Sequence, residues 1–303
     1  MDRMIDWLVS YRSLADQIAL HAILAYSQYI VLRAGVFSIA TAGFASIGGY
    51  TAALAVTTLG LSAWTAMLGA VMLSTFCAIV IALPLARLRG VFQAIATLAF
   101  VQIVLSVAQN ATGLTNGALG INGIPKLANS AVLLAALAGV IYMVWCLGSS
   151  RFGRAFDAIR QDETTAVSIG VSVFPVHLLA FAISGALAGL GGGLEALHSY
   201  SITPEQFGFH LLVACLTFVV LGGRVAVTGP LVGAIILTLL PEIARPFKDY
   251  RLLVNGVLLI GFIIYLPDGI VDTLWQRRRN RRLTDPNLDA AKPAEVSHDA
   301  SVA

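Results

Sequence analysis

Charge is what this chain has least of. Only 12% of its 303 residues are Asp, Glu, Lys or Arg, where a soluble domain averages roughly 25%. Such a shortage excludes a chain wetted on all sides. Lysine is rarest: Lys126, Lys248 and Lys292 follow Pro125, Phe247 and Ala291. A phosphate-cradling P-loop needs a Gly-Lys pair whose lysine reaches the phosphates. The chain has no such pair, so no ATP-hydrolysing site and no bound cofactor are expected on it. Cysteine is sparse too. Cys77, Cys146 and Cys215 lie inside apolar runs, without the spacing of a disulfide framework or a metal site, and are expected to act as small buried hydrophobes. A cleavable leader is not expected: the opening MDRMIDWLVSYRSLADQ lacks an uninterrupted apolar core followed by a small-residue cleavage site.

Apolar residues fill the gap, at 58% of the chain, and they come in continuous runs rather than the stripes of a soluble helix. Residues 131–147, AVLLAALAGVIYMVWCL, carry no charge. A bilayer crossing takes roughly 20 such residues, and a charge at its centre would cost about 2.5–3.5 kcal/mol. Comparable runs occupy 14–32, 36–57, 63–86, 91–109, 173–197, 209–221, 229–244 and 252–266. The expected fold is all-α, a polytopic transmembrane helical bundle of about 8–9 spans with Gly-rich, interrupted helices. Residues 36–57, rich in Gly, Ser and Thr, read as a broken or re-entrant segment, and 209–221 is short for a crossing. Residues 1–13 are expected as an N-terminal segment and 14–275 as the membrane domain, with a polar loop at 149–172. Residues 276–303 read as a basic, then disordered tail.

Lys and Arg orient the bundle. With nine spans, Arg33, Arg87, Arg89, Arg151, Arg154, Arg160, Arg224, Arg277, Arg278, Arg279, Arg281, Arg282 and Lys292 share one side, 13 of the 19 basic residues. If 36–57 does not cross, Arg3 and Arg12 join that side and Arg33 leaves it, a division of 14 against 5. Either way the positive-inside rule makes the 149–172 loop and the tail cytoplasmic. The tail arginines also suit an anionic lipid surface.

Small residues cluster in GFASIGGY, SGALAGLGGGLEAL and VVLGGRVAVTGPLVGA. In lipid, small side chains let helix backbones approach. Gly185, Gly189 and Gly193 recur every four residues and share a helix face, as do Gly229 and Gly233. The stretches 35–49 and 223–233 share a loose glycine pattern, as in transporters built from repeats with interrupted helices at the solute site. Ser38, Thr41, Gly43, Gly48, Gly49, Gly222, Gly223 and Gly229 are accordingly the candidates for a translocation path or hinges. Glu195, with His198 one turn on, is the acidic group at membrane depth that a self-sufficient carrier or channel would need, and it is expected near the outer interface. Ser184, in AISGA, would need a histidine within hydrogen-bond reach to act as a nucleophile. His177 stands about 10 Å away along the same helix, so a packing role is expected.

One charged stretch interrupts the oil: RFGRAFDAIRQDETTAVSIG, residues 151–170. On a helical register Phe152, Phe156, Ile159, Ala166 and Ile169 tend to one side, and Arg154, Arg160, Gln161 and Thr164 to others. That is an amphipathic cytoplasmic helix able to lie on lipid or dock into a groove, with Gly170 as its stop.

These stretches, with PLARLRGVFQAIATLAFVQI, LTNGALGINGIP and ITPEQFGF, resemble the M-type permease subunits of bacterial branched-chain amino-acid ABC importers from about residue 23 to 270. The resemblance implies an inner-membrane subunit without its own ATPase activity. Its expected partners are a sister permease of the H type, two ABC ATPases that use ATP and Mg, and a periplasmic or lipid-anchored solute-binding protein, with membrane lipid around it and no nucleic acid. It also implies that 151–170 holds the coupling helix gripped by an ATPase. Glu163, Ala166 and Gly170 match that motif's core, and Arg151, Gly153, Arg154, Ala158, Arg160 and Asp162 complete the expected coupling set. Thr165, Ala40, Thr41, Asp268, Glu195 and His198 depart from the family pattern. They bear on the solute, which in this group includes other amino acids, urea and short amides.

Overall fold

The computed structural model describes residues 2–126, 128–243 and 269–273. They are built from helices: α1 (Asp2–Arg33), α2 (Thr41–Thr57), α3 (Ala63–Leu85), α4 (Val91–Asn110), the single turn α5 (Thr112–Thr115), α6 (Ser130–Ser149), α7 (Arg151–Gln161), α8 (Glu163–Ser168), α9 (Val173–His198), α10 (Phe209–Gly222) and α11 (Gly229–Ile243). Two strands of two residues each, Ile121–Asn122 and Ser201–Ile202, pair antiparallel. Among the described residues, five helical stretches are long and apolar enough to cross a membrane: α3, α4, α6, α9 and α10 with the short turn Pro204–Phe207 before it. The chain is therefore an all-α, multi-pass membrane protein.

Helix boundaries follow local chemistry. Ser62 caps α3 by accepting from the Thr65 amide at 3.4 Å, and Asn129 caps α6 through the Ser130 amide at 2.8 Å, the role their short polar side chains play best. Three boundaries differ from those read in the sequence. α1 begins at Asp2, so residues 2–13 continue the first helix instead of forming a separate segment. The 36–57 run loses its first residues to an irregular turn, and α2 is helical only from Thr41 to Thr57. The single amphipathic helix expected over 151–170 is two helices broken at Asp162. The 252–266 run and the 276–303 tail lie outside the described residues.

α9 is the hub, packing along α1, α2 and α3. Glycine makes that possible. A Cβ at Gly185 or Gly189 would run into Ala78, Ser74 and Ala70 of α3, and one at Gly193 into Met67 and Ala70. On the adjoining face Gly192 sits against the Ala45 carbonyl of α2, and Gly48 of α2 against the backbone of Gly189. The four-residue glycine spacing thus marks the α3-facing side of α9, as the sequence pattern implies. Gly229 and Gly233 do the same for α11 against Gly222, Gly223 and Phe218.

Candidate coupling site

The charged island is bolted to the bundle by its own charges. Asp157 of α7 receives a two-pronged grip from Arg33, the last residue of α1: Nε to Oδ1 at 3.0 Å and Nη2 to Oδ2 at 2.8 Å. The Arg33 side chain is 9% exposed and that of Asp157 34%. The planar fork of arginine fits a carboxylate in this way and lysine cannot reproduce it. Arg160 approaches the same carboxylate at 3.9 Å. A second bolt joins Glu163 of α8 to Arg89, in the turn between α3 and α4, at 2.8 Å. Arg89 is largely exposed, so this pair is screened and contributes less.

Backbone packing reinforces the grip. Gly35 lies against the Arg160 backbone, and a Cβ at Gly153 would meet the carbonyls of Leu147 and Gly148. Phe156, Ile159 and Ala166 face inward and are buried. Phe152 and Ile169, read from the sequence as part of the same apolar stripe, are instead 53% and 71% exposed. The break at Asp162 re-aims Ile169, which lies beyond it, whereas Phe152 stands exposed in the first turn of α7. Asp162 caps α8 through the amides of Thr164 and Thr165 at 2.8 and 3.0 Å and the Thr164 hydroxyl at 2.6 Å. The hydrogen bonds from Thr164 and Thr165 hold this carboxyl below its ordinary value. α8 ends where Gly170 takes φ +88°, a left-handed conformation that glycine adopts without strain. Arg151, Arg154, Asp162 and Gly170 are exposed, while Ala158, Arg160 and Glu163 are half-buried.

Polar contacts continue from Arg33 into the bundle. The Arg33 guanidinium lies 5.9 Å from the Tyr29 ring centroid. The Tyr29 hydroxyl donates to the Val225 carbonyl at 3.0 Å, in the turn between α10 and α11. That turn is held by a residue the sequence reading did not single out. Buried Asp272 accepts from the amides of Arg224, Val225 and Ala226 at 2.7, 2.9 and 2.9 Å, a backbone nest around one carboxylate. Asp272→Ala is expected to leave those amides without their acceptor and to raise their hydrogen-exchange rates by roughly tenfold or more. Hydrogen bonds to a charged group contribute about 1.5–3 kcal/mol each. Unchanged exchange at 224–226 would contradict this role.

Deeper in the bundle a second polar set closes on itself. Ser27 of α1 donates to the Ser184 carbonyl at 2.8 Å and lies 2.9 Å from its hydroxyl. Thr41 donates to Gln28 at 2.8 Å, and Gln28 to the Ser38 carbonyl at 2.6 Å. Ser184 thus pairs with a serine, and no histidine hydrogen-bonds to it among the described residues. Near the other end of α9, Glu195 accepts from the Ser199 hydroxyl at 3.5 Å. His198 faces Asp16 of α1, 3.7 Å away, and the Ala128 carbonyl, 3.2 Å away. No metal-holding cluster of His, Cys, Asp or Glu occurs among the described residues.

Sequence relationships match this architecture. The family described as the branched-chain amino acid transport system / permease component matches residues 10–264. The chain belongs to that family. High-affinity branched-chain amino acid transport system permease protein LivM, from Salmonella typhimurium and from Escherichia coli, is 31% identical to it over 278 residues, covering 80% of this chain and 65% of each relative. The aligned part of the chain thus spans just under two thirds of those relatives. The LivH permease protein of E. coli is 30% identical over 140 residues, 46% of this chain and 44% of its own. The autoinducer 2 import system permease protein LsrC of Yersinia pseudotuberculosis is 28% identical over 177 residues, 54% and 50% of the two chains. No solved structure matches. In this family member the eight small residues singled out in the sequence, Ser38, Thr41, Gly43, Gly48, Gly49, Gly222, Gly223 and Gly229, are all buried. Ser38 and Thr41 belong to the closed polar set. Gly43 packs on the Phe100 ring, Gly49 on Ile202 and Phe207, and Gly223, at φ +122°, on the Asp272 carboxylate.

Proposed function

We propose that this chain is the permease subunit of an ATP-binding-cassette importer for branched-chain or related amino acids. It forms half of the translocation path, with a sister permease as the other half. Two ATPases beneath it use ATP and Mg, and a solute-binding protein delivers the cargo from outside. The chain crosses the inner membrane eight or nine times, with the α7–α8 island and the tail on the cytoplasmic side, and the Gly222–Gly229 turn serves as a hinge.

The observation that carries this reading is the geometry of the island. Its inner face is fastened to α1 by Asp157 and to the α3–α4 turn by Glu163. Its other face leaves Arg151, Phe152, Arg154, Val167 and Ile169 exposed. An element with mixed charge and apolar side chains outward and ion-pair links inward suits transmission of force from a docked partner. Family membership supplies the class of machine. Purification of the tagged chain from its native membranes in mild detergent tests the reading. Two ATPase subunits and a second permease are expected to accompany it, and in liposomes that complex is expected to take up leucine, isoleucine or valine only with ATP, its binding protein and the solute present. A chain that purifies alone and transports alone would overturn the proposal.

Glu163→Lys places a second cation opposite Arg89. It is expected to leave insertion intact and ATP hydrolysis running while solute moved per ATP falls several-fold. Unaltered stoichiometry would show that the Glu163 bolt carries no force.

A further inference from the structure

α4 carries an exposed polar stripe where a helix facing lipid should have none. Gln102, Ser106 and Gln109 are all exposed, and their spacing of four and three residues aligns them on one flank. The other exposed flank of the same turns holds Ile103 and Val107, 62% and 61% exposed. Buried Val101, Leu105 and Ala108 mark the opposite side, which packs on the bundle. α4 has no acidic or basic residue, and it is one of the five helices able to span the membrane. Ser106 has the Asn110 side chain for company, which donates to its carbonyl at 2.8 Å. Among the described residues the Gln102 and Gln109 carboxamides form no hydrogen bond. A carboxamide left without partners in hydrocarbon costs several kcal/mol, so this flank is not built to face acyl chains.

We propose that the Gln102–Ser106–Gln109 flank of α4 lines the water-filled solute path in the assembled transporter, with Ile103 and Val107 turned to lipid. The stripe leads toward exposed Asn110 at the end of α4, the outer end by the charge asymmetry, and Thr112 at the start of α5, and so forms a polar lane toward the mouth. Its groups are carboxamides and a hydroxyl, each able to donate and to accept, with no net charge. Such a wall stabilises a zwitterionic or neutral polar solute and offers no counter-ion to a net-charged one. This assignment rests on the permease reading above and adds where on this chain the solute passes. It also separates the path from the buried glycines, which the structure uses for helix packing.

Cysteine accessibility decides the matter in the intact complex. In a background with Cys77, Cys146 and Cys215 changed to serine, single cysteines replace Gln102, Ser106, Gln109, Ile103 or Val107. The complex is placed in liposomes and treated with a membrane-impermeant methanethiosulfonate. The stripe positions are expected to react at least tenfold faster than Ile103→Cys and Val107→Cys, and saturating binding protein with leucine, during ATP turnover, is expected to slow them. Equal, slow labelling at all five positions would overturn the proposal, because it means lipid or protein covers the flank. Disulfide or bifunctional cross-linking of the stripe to the sister permease, with no aqueous labelling, would also overturn it and assign the flank to the subunit interface. Labelling in the absence of nucleotide reads water access without requiring uptake. Failure of branched-chain amino-acid uptake in the cysteine-free parent, with the stripe still labelled, would therefore count against the permease reading's substrate and not against the path.

Discussion

Arg33→Met is expected to cut ATP-driven uptake by roughly tenfold or more while the complex still assembles and its ATPases still turn over. The Arg33 side chain is 9% exposed and forms both prongs of the grip on Asp157. Removing one partner of a buried pair typically costs about 3–5 kcal/mol, because the remaining charge is left without compensation. Asp157 is 34% exposed and Arg160 stays 3.9 Å from it, so water and a second cation relieve part of that loss, and what Arg33→Met removes outright is the link from α7 to α1. The break falls between α7 and α1, and α1 packs along α9. Motion imposed on the island then loses its firmest route into the bundle. Arg33→Lys keeps the charge and loses the fork, so it is expected to fall between wild type and Arg33→Met. Uptake per ATP, measured in parallel for both variants and for Asp157→Asn, checks the result. Equal stoichiometry in all three would remove the ion pair from the coupling route.

The largest expected loss of stability comes from Gly192. An added Cβ there would strike the Ala45 carbonyl and backbone of α2. The obstacle is main chain on another helix, so no side-chain rotation relieves it. Overpacking a well-filled interior usually costs about 1–3 kcal/mol. Gly192→Leu exceeds that range because α2 and α9 must separate along a buried seam, and the variant is expected to yield little folded protein. Gly139→Leu is the matched control, since nothing lies within 4 Å of a Cβ at that site. It is expected to behave like wild type in thermal unfolding and size-exclusion profiles in detergent. Similar profiles for the two variants would contradict the close approach of α2 and α9.

What the sequence made legible was local or periodic. Glycines spaced by four residues announced a close helix face, and Gly185, Gly189 and Gly193 do meet α3. Twenty residues of mixed charge between apolar runs announced a separate helical element, and α7 and α8 occupy that stretch. The partners of that element were not legible, because they are distant in the chain: Asp157 meets Arg33 across 124 positions, and no local pattern encodes such a pairing. The break at Asp162 was in principle readable. An aspartate followed by Glu163 and Thr164 is a helix start signal, but the apolar residues on either side mimic one continuous stripe. The Asp272 nest depends on backbone amides, which a sequence of side chains does not display. The α4 flank escaped notice because hydropathy averages over a window: three polar side chains vanish in a run as apolar as 91–109, and only the fold shows that they line up on an outward face.

The central claim is that this bundle is driven through its island by nucleotide-hydrolysing companions. Uphill solute uptake, measured in liposomes holding either the chain alone or its full complex, tests that claim most directly. Accumulation above the external concentration is expected only for the complex, only with ATP inside the compartment where the island lies, and is expected to collapse in Arg33→Met. Accumulation by the purified chain without ATP or any companion subunit would contradict the account.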